Sequence, residues 1–127
     1  MSGTLLTRLV LGALLALQAV ALVYFDYYPA MWKYHVKTAS DYYTAKPANN
    51  DAALAELKTA LGDCDHFAID GRRAFTYEAL GVVAAECGQR AEARRYNEQA
   101  LELYSRFSGG DSEEVQRVRD HMAGKKT

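Results

Sequence analysis

From Leu5 to Phe25 the chain is apolar at nearly every position, whereas after Pro47 apolar residues recur every three or four positions among polar ones. The first pattern predicts one continuous helix in an apolar medium, and the second predicts a series of amphipathic helices. Leu9–Phe25 carries no charge, and Arg8 interrupts the run near its start. A helix over Leu5–Phe25 rises roughly 31 Å at about 1.5 Å per residue, enough to cross a hydrocarbon core of about 30 Å. Arg8 at one end can lay its stem in lipid and reach the headgroups. At the other end Tyr24, Tyr27, Tyr28, Trp32 and Tyr34 suit an interfacial aromatic belt, and Asp26 and Pro29 mark where the span ends and the chain turns.

A cleaved signal peptide is the competing reading, with Arg8 as its charged region and Ala19–Val20–Ala21 as an A-x-A-like site. The apolar run continues past that site through Leu22, Val23 and Phe25, which favours a retained anchor. Within the span Gly12, Ala16 and Ala19 share a face on which another helix can approach closely. Gln18, near the middle, favours a protein hydrogen bond over lipid. Arg8 and the α-amino group put the N-terminus on the inner side, although Lys33 and Lys37 follow the span. The expected placement is single-pass in an inner membrane, with the C-terminal domain on the periplasmic or intermembrane-space side.

Beyond the anchor, helical spacing of Met31, Trp32, His35, Val36, Ala39, Tyr42 and Tyr43 predicts a helix to about Ala45, broken by Pro47 and Asn49–Asn50. Asn50 is read as the N-cap of a helix over Asp51–Leu61, stopped by Gly62, with Ala53, Leu54, Leu57, Ala60 and Leu61 inward. After a connector at Gly62–Asp70, a third helix covers Gly71–Cys87, with Phe75, Leu80, Val83 and Ala84 as its core stripe and Gly88 as its stop. Arg90–Phe107 forms a fourth, burying Ala93, Tyr96, Ala100, Leu101 and Tyr104, with Glu102 and Arg106 paired across one turn. Gly109–Gly110 ends it, and Asp111 or Ser112 caps a last helix bearing Val115, Val118 and Met122. No useful length after Phe25 alternates with period two, so the fold is all-α, divided into an anchor at 1–28 and a helical domain at 29–127.

Fifteen basic and 16 acidic residues balance, which removes the electrostatic case for nucleic acid. A mean hydropathy of −0.25 in a chain that is half hydrophobic means the apolar content is concentrated in the span and the stripes.

Tyr77-x2-Leu80-Gly81, followed by Gly88, Ala93 and Ala100–Leu101, resembles a tetratricopeptide repeat. In that pattern small residues let two antiparallel helices approach, while larger ones fill the gap to the next repeat. The match covers Ala74–Ser105. It departs at Ala84 and Asn97, where the pattern prefers an aromatic, and at Ser105, where a proline is usual. Ala53, Leu57 and Ala60–Leu61 resemble the second helix of a preceding repeat whose first helix is Met31–Ala45. Val115, Val118 and Met122 then lie on a capping helix. The resemblance implies protein binding and scaffolding, and two units are fewer than a freestanding array needs.

Candidate chemistry is sparse. Cys64 and Cys87 either form a disulfide, closing a loop of about 23 residues, or remain free thiols. Asp63–Cys64–Asp65–His66 holds ligand-type side chains without a second pair at zinc spacing, and as a calcium loop it has Ala68 and Ala74 where glycine and an acid are required. His35 suits packing or a hydrogen bond better than pigment or haem ligation. Arg72–Arg73 face Asp70 and Glu78, and Arg90, Arg94 and Arg95 face Glu92 and Glu98. No nucleophile–base pair, phosphate loop or paired carboxylates appear. The expectation is a non-catalytic accessory or scaffold subunit without cofactor, metal or small-molecule substrate. Its partners are the lipid bilayer and other subunits of a membrane complex, an energy-converting one being one setting. The alternative is a membrane-tethered or secreted adaptor for a soluble protein.

Overall fold

Stripe spacing and caps resolve, in a computed structural model that describes residues 2–66 and 70–124, into helices with no strand among the described residues. These are α1 (Ser2–Leu22), a π-helical turn (Val23–Tyr27), α2 (Tyr28–Thr44), α3 (Asn50–Cys64), α4 (Asp70–Glu86), α5 (Arg90–Ser108) and α6 (Glu113–Met122). Of the expected connector, positions 67–69, Ala68 among them, lie outside the described residues.

Asp26 and Pro29 do not turn the chain. Gly3–Thr44 is one helical run of 42 residues, so the expected boundary at 28 falls inside a continuous helix. Proline has no N–H to donate, and its ring clashes with the carbonyl four residues earlier. The π-helical turn immediately before α2 widens the backbone there, and Pro29 takes a place in the first turn of α2. The α1 half is long and apolar enough to cross a membrane, with mean hydropathy 2.1 over a window none of which is buried. The α2 half is clad by the domain.

From α2 onward each helix packs on the next in sequence, α2 on α3, α3 on α4, α4 on α5 and α5 on α6. Asn49, not Asn50, caps α3: its Oδ1 accepts from Ala52 N–H at 3.1 Å. Gly62 does not stop α3, which runs on to Cys64. Gly88 closes α4 with φ +77°, a conformation that lets the Gln89 N–H reach the Ala84 carbonyl at 2.9 Å. Ser112 caps α6 through the Val115 N–H.

Two apolar clusters form the core. One joins α2 to α5 through Ala39, Leu54, Leu57, Leu80, Val83, Ala93 and Tyr96. The other joins α4, α5 and α6 through Ala74, Ala100, Leu103, Tyr104, Val115 and Val118. Tyr77 packs against both. Burying Val115 and Val118 completely contributes about 1.5–3 kcal/mol apiece to holding α6. Four expected core residues differ: Phe75 and Met122 are exposed, and Leu61 and Leu101 are half-buried, with Leu103 taking the inward place on α5.

The tightest approach is between α4 and α5. A Cβ on Gly81 would lie 2.1 Å from Asn97 Oδ1 and 2.8 Å from its Cγ. Asn97 is 5% exposed and walled by the facing helix, so it has little room to retreat. Gly81→Ala is expected to destabilise the domain by about 1–3 kcal/mol. Replacing Asn97 with Ser in the same chain is expected to recover most of that loss. Thermal unfolding of the detergent-solubilised protein by circular dichroism measures both, and an unchanged melting point for Gly81→Ala would refute the tight contact.

Candidate functional site

Sequential packing leaves one concave face between alternate helices. On α2, Val36, Ala39, Ser40 and Tyr43 fall at i, i+3, i+4 and i+7, the spacing of a single helix face. On α4, Phe75, Glu78, Ala79, Val82 and Val83 do the same, and α6 adds Arg117 and His121. Leu57 of α3 closes the back of a groove of about 330 Å³. Two helical turns on each wall give it a length of about 11–12 Å.

At its α6 end lies a half-buried ion pair, with Glu78 buried and Arg117 reaching it from the surface. Glu78 occupies the inward stripe of α4 and is 6% exposed. An acid there needs a cation and hydrogen bonds to offset its desolvation. Arg117 meets it with both arms, Nε to Oε2 at 2.7 Å and Nη2 to Oε1 at 2.8 Å. The Tyr104 hydroxyl donates to Glu78 Oε1 at 3.3 Å. Burial and the adjacent Glu78 carboxylate push the Tyr104 phenol up to about 12. Hydrogen bonding to Glu78 raises the Arg117 guanidinium further above its ordinary value. With its oxygens engaged, Glu78 fixes α6 against α4, and apolar side chains form most of the remaining wall.

The charge pairing expected around Arg72–Arg73 is therefore different. Arg72 lies over the Trp32 ring at 4.9 Å, and Arg73 donates to the Cys64 carbonyl at 3.1 Å and faces Asp65 at 3.4 Å. Glu78 is turned towards Arg117 instead. Arg94–Glu98 at 3.1 Å and Arg95–Glu92 at 2.8 Å pair along α5 as expected, as do Arg106 and Glu102 at 2.8 Å.

The expected aromatic belt divides in two. Tyr24, Tyr27 and Tyr34 are exposed, whereas Tyr28 and Trp32 serve the domain. Tyr28 stacks on His66 with centroids 3.9 Å apart, and the Trp32 N–H donates to Thr76 Oγ1 at 2.8 Å. His35 bridges α2 to α3 through Glu56 at 2.5 Å, with Asp63 4.0 Å from its other nitrogen. Burial raises the Asp63 carboxyl, and the neighbouring His35 and His66 pull it back down. Among the described residues no group of three or more His, Cys, Asp or Glu side chains is placed to hold a metal ion.

Cys64 and Cys87 are free, which corrects the disulfide alternative. Cys64 Sγ lies 3.9 Å from Thr76 Oγ1 near the start of α4, while Cys87 Sγ lies 3.6 Å from Asp51 near the start of α3. The two thiols thus sit at opposite ends of an antiparallel pair, about 20 Å apart along α3, and a disulfide needs Cα atoms within about 7 Å. Burial pushes both thiols up, and a hydrogen bond to Asp51 raises Cys87 further, so each is a poor nucleophile.

Of the repeat residues, Leu80, Gly81, Ala93 and Ala100 are buried between α4 and its neighbours, Tyr77 and Leu101 are half-buried, and Gly88 makes the turn. Gly12, Ala16, Gln18 and Ala19 are exposed on α1, and a Cβ on Gly12 would meet nothing within 4 Å. No protein-family model, curated protein or solved structure matches this chain.

Two outcomes follow for the ion pair. Arg117→Met leaves Glu78 buried without its cation and is expected to cost about 3 kcal/mol in denaturant unfolding, with Glu78→Gln added to the same chain restoring part of it. The Tyr104 phenol binds its proton more tightly folded than unfolded. Its contribution to stability is therefore fully present below about 10, the ordinary tyrosine value, and is lost as pH rises through about 12. In an absorbance titration at alkaline pH, Tyr104→Phe is expected to remove the last tyrosine step; a variant that removes an earlier step would contradict this assignment.

Proposed function

We propose that this chain is a non-catalytic accessory or scaffold subunit of a membrane protein complex. Its N-terminal helix is the single-pass anchor, and its helical domain contacts neighbouring subunits through the groove between α2, α4 and α6. The observation that carries the reading is that groove: apolar, two turns long, and lined by a helix that continues into one long and apolar enough to cross a membrane. Its walls support the tetratricopeptide-like reading too. Alternate helices line one face while α3 and α5 lie behind, as when helix pairs stack into a solenoid with a concave binding surface. An apolar groove of this size accepts two or three apolar side chains of a partner segment, and Tyr43 and Phe75 supply aromatic contact area. An inner membrane with the domain on the periplasmic or intermembrane-space side fits Arg8 at the inner end of the span, and an energy-converting complex is one such setting.

A membrane-tethered adaptor for a soluble protein is the second reading, favoured by the domain's own two-cluster core, which does not need a partner to bury it. Extraction in gentle detergent followed by native mass measurement separates them. The subunit reading expects a stoichiometric assembly of membrane proteins that includes this chain. Val82→Glu, which puts a charge in the groove wall, is expected to lower its retention at least tenfold without shifting the melting point. A soluble protein lost by dilution and sensitive to Val82→Glu would favour the adaptor. A stable monomer that retains nothing, with or without the substitution, would overturn both.

A further inference from the structure

The anchor carries an unmet polar requirement on one flank. Gln18 and Asp26 lie on the same side of the helix, separated by Ala21, Leu22 and Phe25, and the five line a shallow cleft of about 390 Å³. The π-helical turn at Val23–Tyr27 falls beside this cleft. Leu22 and Phe25 are 60% and 76% exposed, so no other part of the described chain covers the stripe.

Eight residues of helix set Gln18 about 12 Å below Asp26. With Asp26 at the headgroup level, the Gln18 amide stands deep in a hydrocarbon core of about 30 Å. An amide in that medium without hydrogen bonds costs several kcal/mol. Among the described residues neither the Gln18 amide nor the Asp26 carboxylate has a hydrogen-bond or ion-pair partner. This stripe is turned about 120° from the face of Gly12, Ala16 and Ala19 at about 100° per residue.

We propose that the Gln18–Asp26 stripe docks a transmembrane helix of a different polypeptide, one bearing an amide or hydroxyl side chain at the depth of Gln18 and a Lys or Arg about two turns nearer the domain. Charge complementarity selects this occupant. A second copy in parallel orientation brings Asp26 against Asp26 at the same height, where like charges repel, and an antiparallel copy needs the opposite topology. A cationic lipid headgroup answers Asp26 and leaves Gln18 unmet. Ala21 lets the partner backbone come close, while Leu22 and Phe25 supply the packing that drives helix association in lipid. The inference deepens the membrane-subunit reading and depends on it.

The test uses the full chain in its native membrane, with a photoreactive amino acid at Leu22 and, as a control on the opposite face, at Val20. The expected result is a cross-link from Leu22 to one membrane protein whose spanning helix carries a Lys or Arg, at least tenfold stronger than from Val20. Gln18→Leu with Asp26→Asn lowers that yield at least tenfold. Asp26→Lys abolishes it, and changing the partner's basic residue to Glu restores it. Cross-links between copies of this chain, to lipid alone, or equally from Val20 would overturn the proposal. So would the absence of any Leu22 cross-link in an assembly that still depends on Val82, and in that case the subunit reading would stand. Loss of every assembly would remove both.

Discussion

The helix from Gly3 to Thr44 carries two different surfaces on one continuous piece of backbone. Its first half exposes Leu, Val and Ala on all sides and is long and apolar enough to cross a membrane. Its second half offers one face to α3 and α4 and the other to water. No flexible linker separates the two, so the orientation of the domain relative to the span is set by the π-helical turn at Val23–Tyr27 and by what braces it. Tyr28 on His66, Trp32 on Thr76 and Arg72, and His35 on Glu56 are that bracing, all made by α2 within its first eight residues. The backbone stays helical through Pro29, where the sequence points to a turn.

Above that junction the structure is a relay of neighbouring helix pairs, and its weakest joint is α6. This ten-residue helix touches the rest through α5 and through two fully buried valines. The Glu78–Arg117 pair adds a direct tie from α6 back to α4, skipping α5. Removing one partner is costly, yet replacing both with apolar groups need not be. The pair therefore specifies where α6 lies more than it stabilises the fold. That position in turn closes one end of the groove, so the site's shape depends on a single buried carboxylate.

Helix number, order and most inward faces were legible in the sequence because they follow from local rules. Three-to-four spacing identified Ala53, Leu54, Leu57, Leu80, Val83 and Tyr96, and Gly88 marked its turn by backbone preference alone. What failed was non-local. Asn49 and Asn50 are equally good caps, and only the pairing of α2 with α3 chooses between them. Asp26 and Pro29 read as a turn because a π-helical escape from the proline clash leaves no mark in composition. Glu78 looked like a neighbour for Arg72, since i, i+6 closeness in sequence hides that the side chain faces inward. Its place on the stripe with Ala74 and Gly81 was the available sign that a distant cation was needed. The groove itself was invisible, because it is made by helices that are not adjacent in the chain.

The proposed docking stripe and the groove both border one continuous helix. From Leu22 to Ala39 the helix rises about 26 Å. On the proposed reading, a partner whose spanning helix packs along Gln18–Asp26 would reach the groove with a segment of about eight extended residues. On that reading the second contact would be effectively intramolecular, with a high local concentration. Either surface alone is small: the groove takes a few side chains, and the stripe a turn or two of helix. For the proposed subunit, two weak contacts on one helix would reinforce each other, a physical reason for the apolar helix and the first helix of the domain to be continuous.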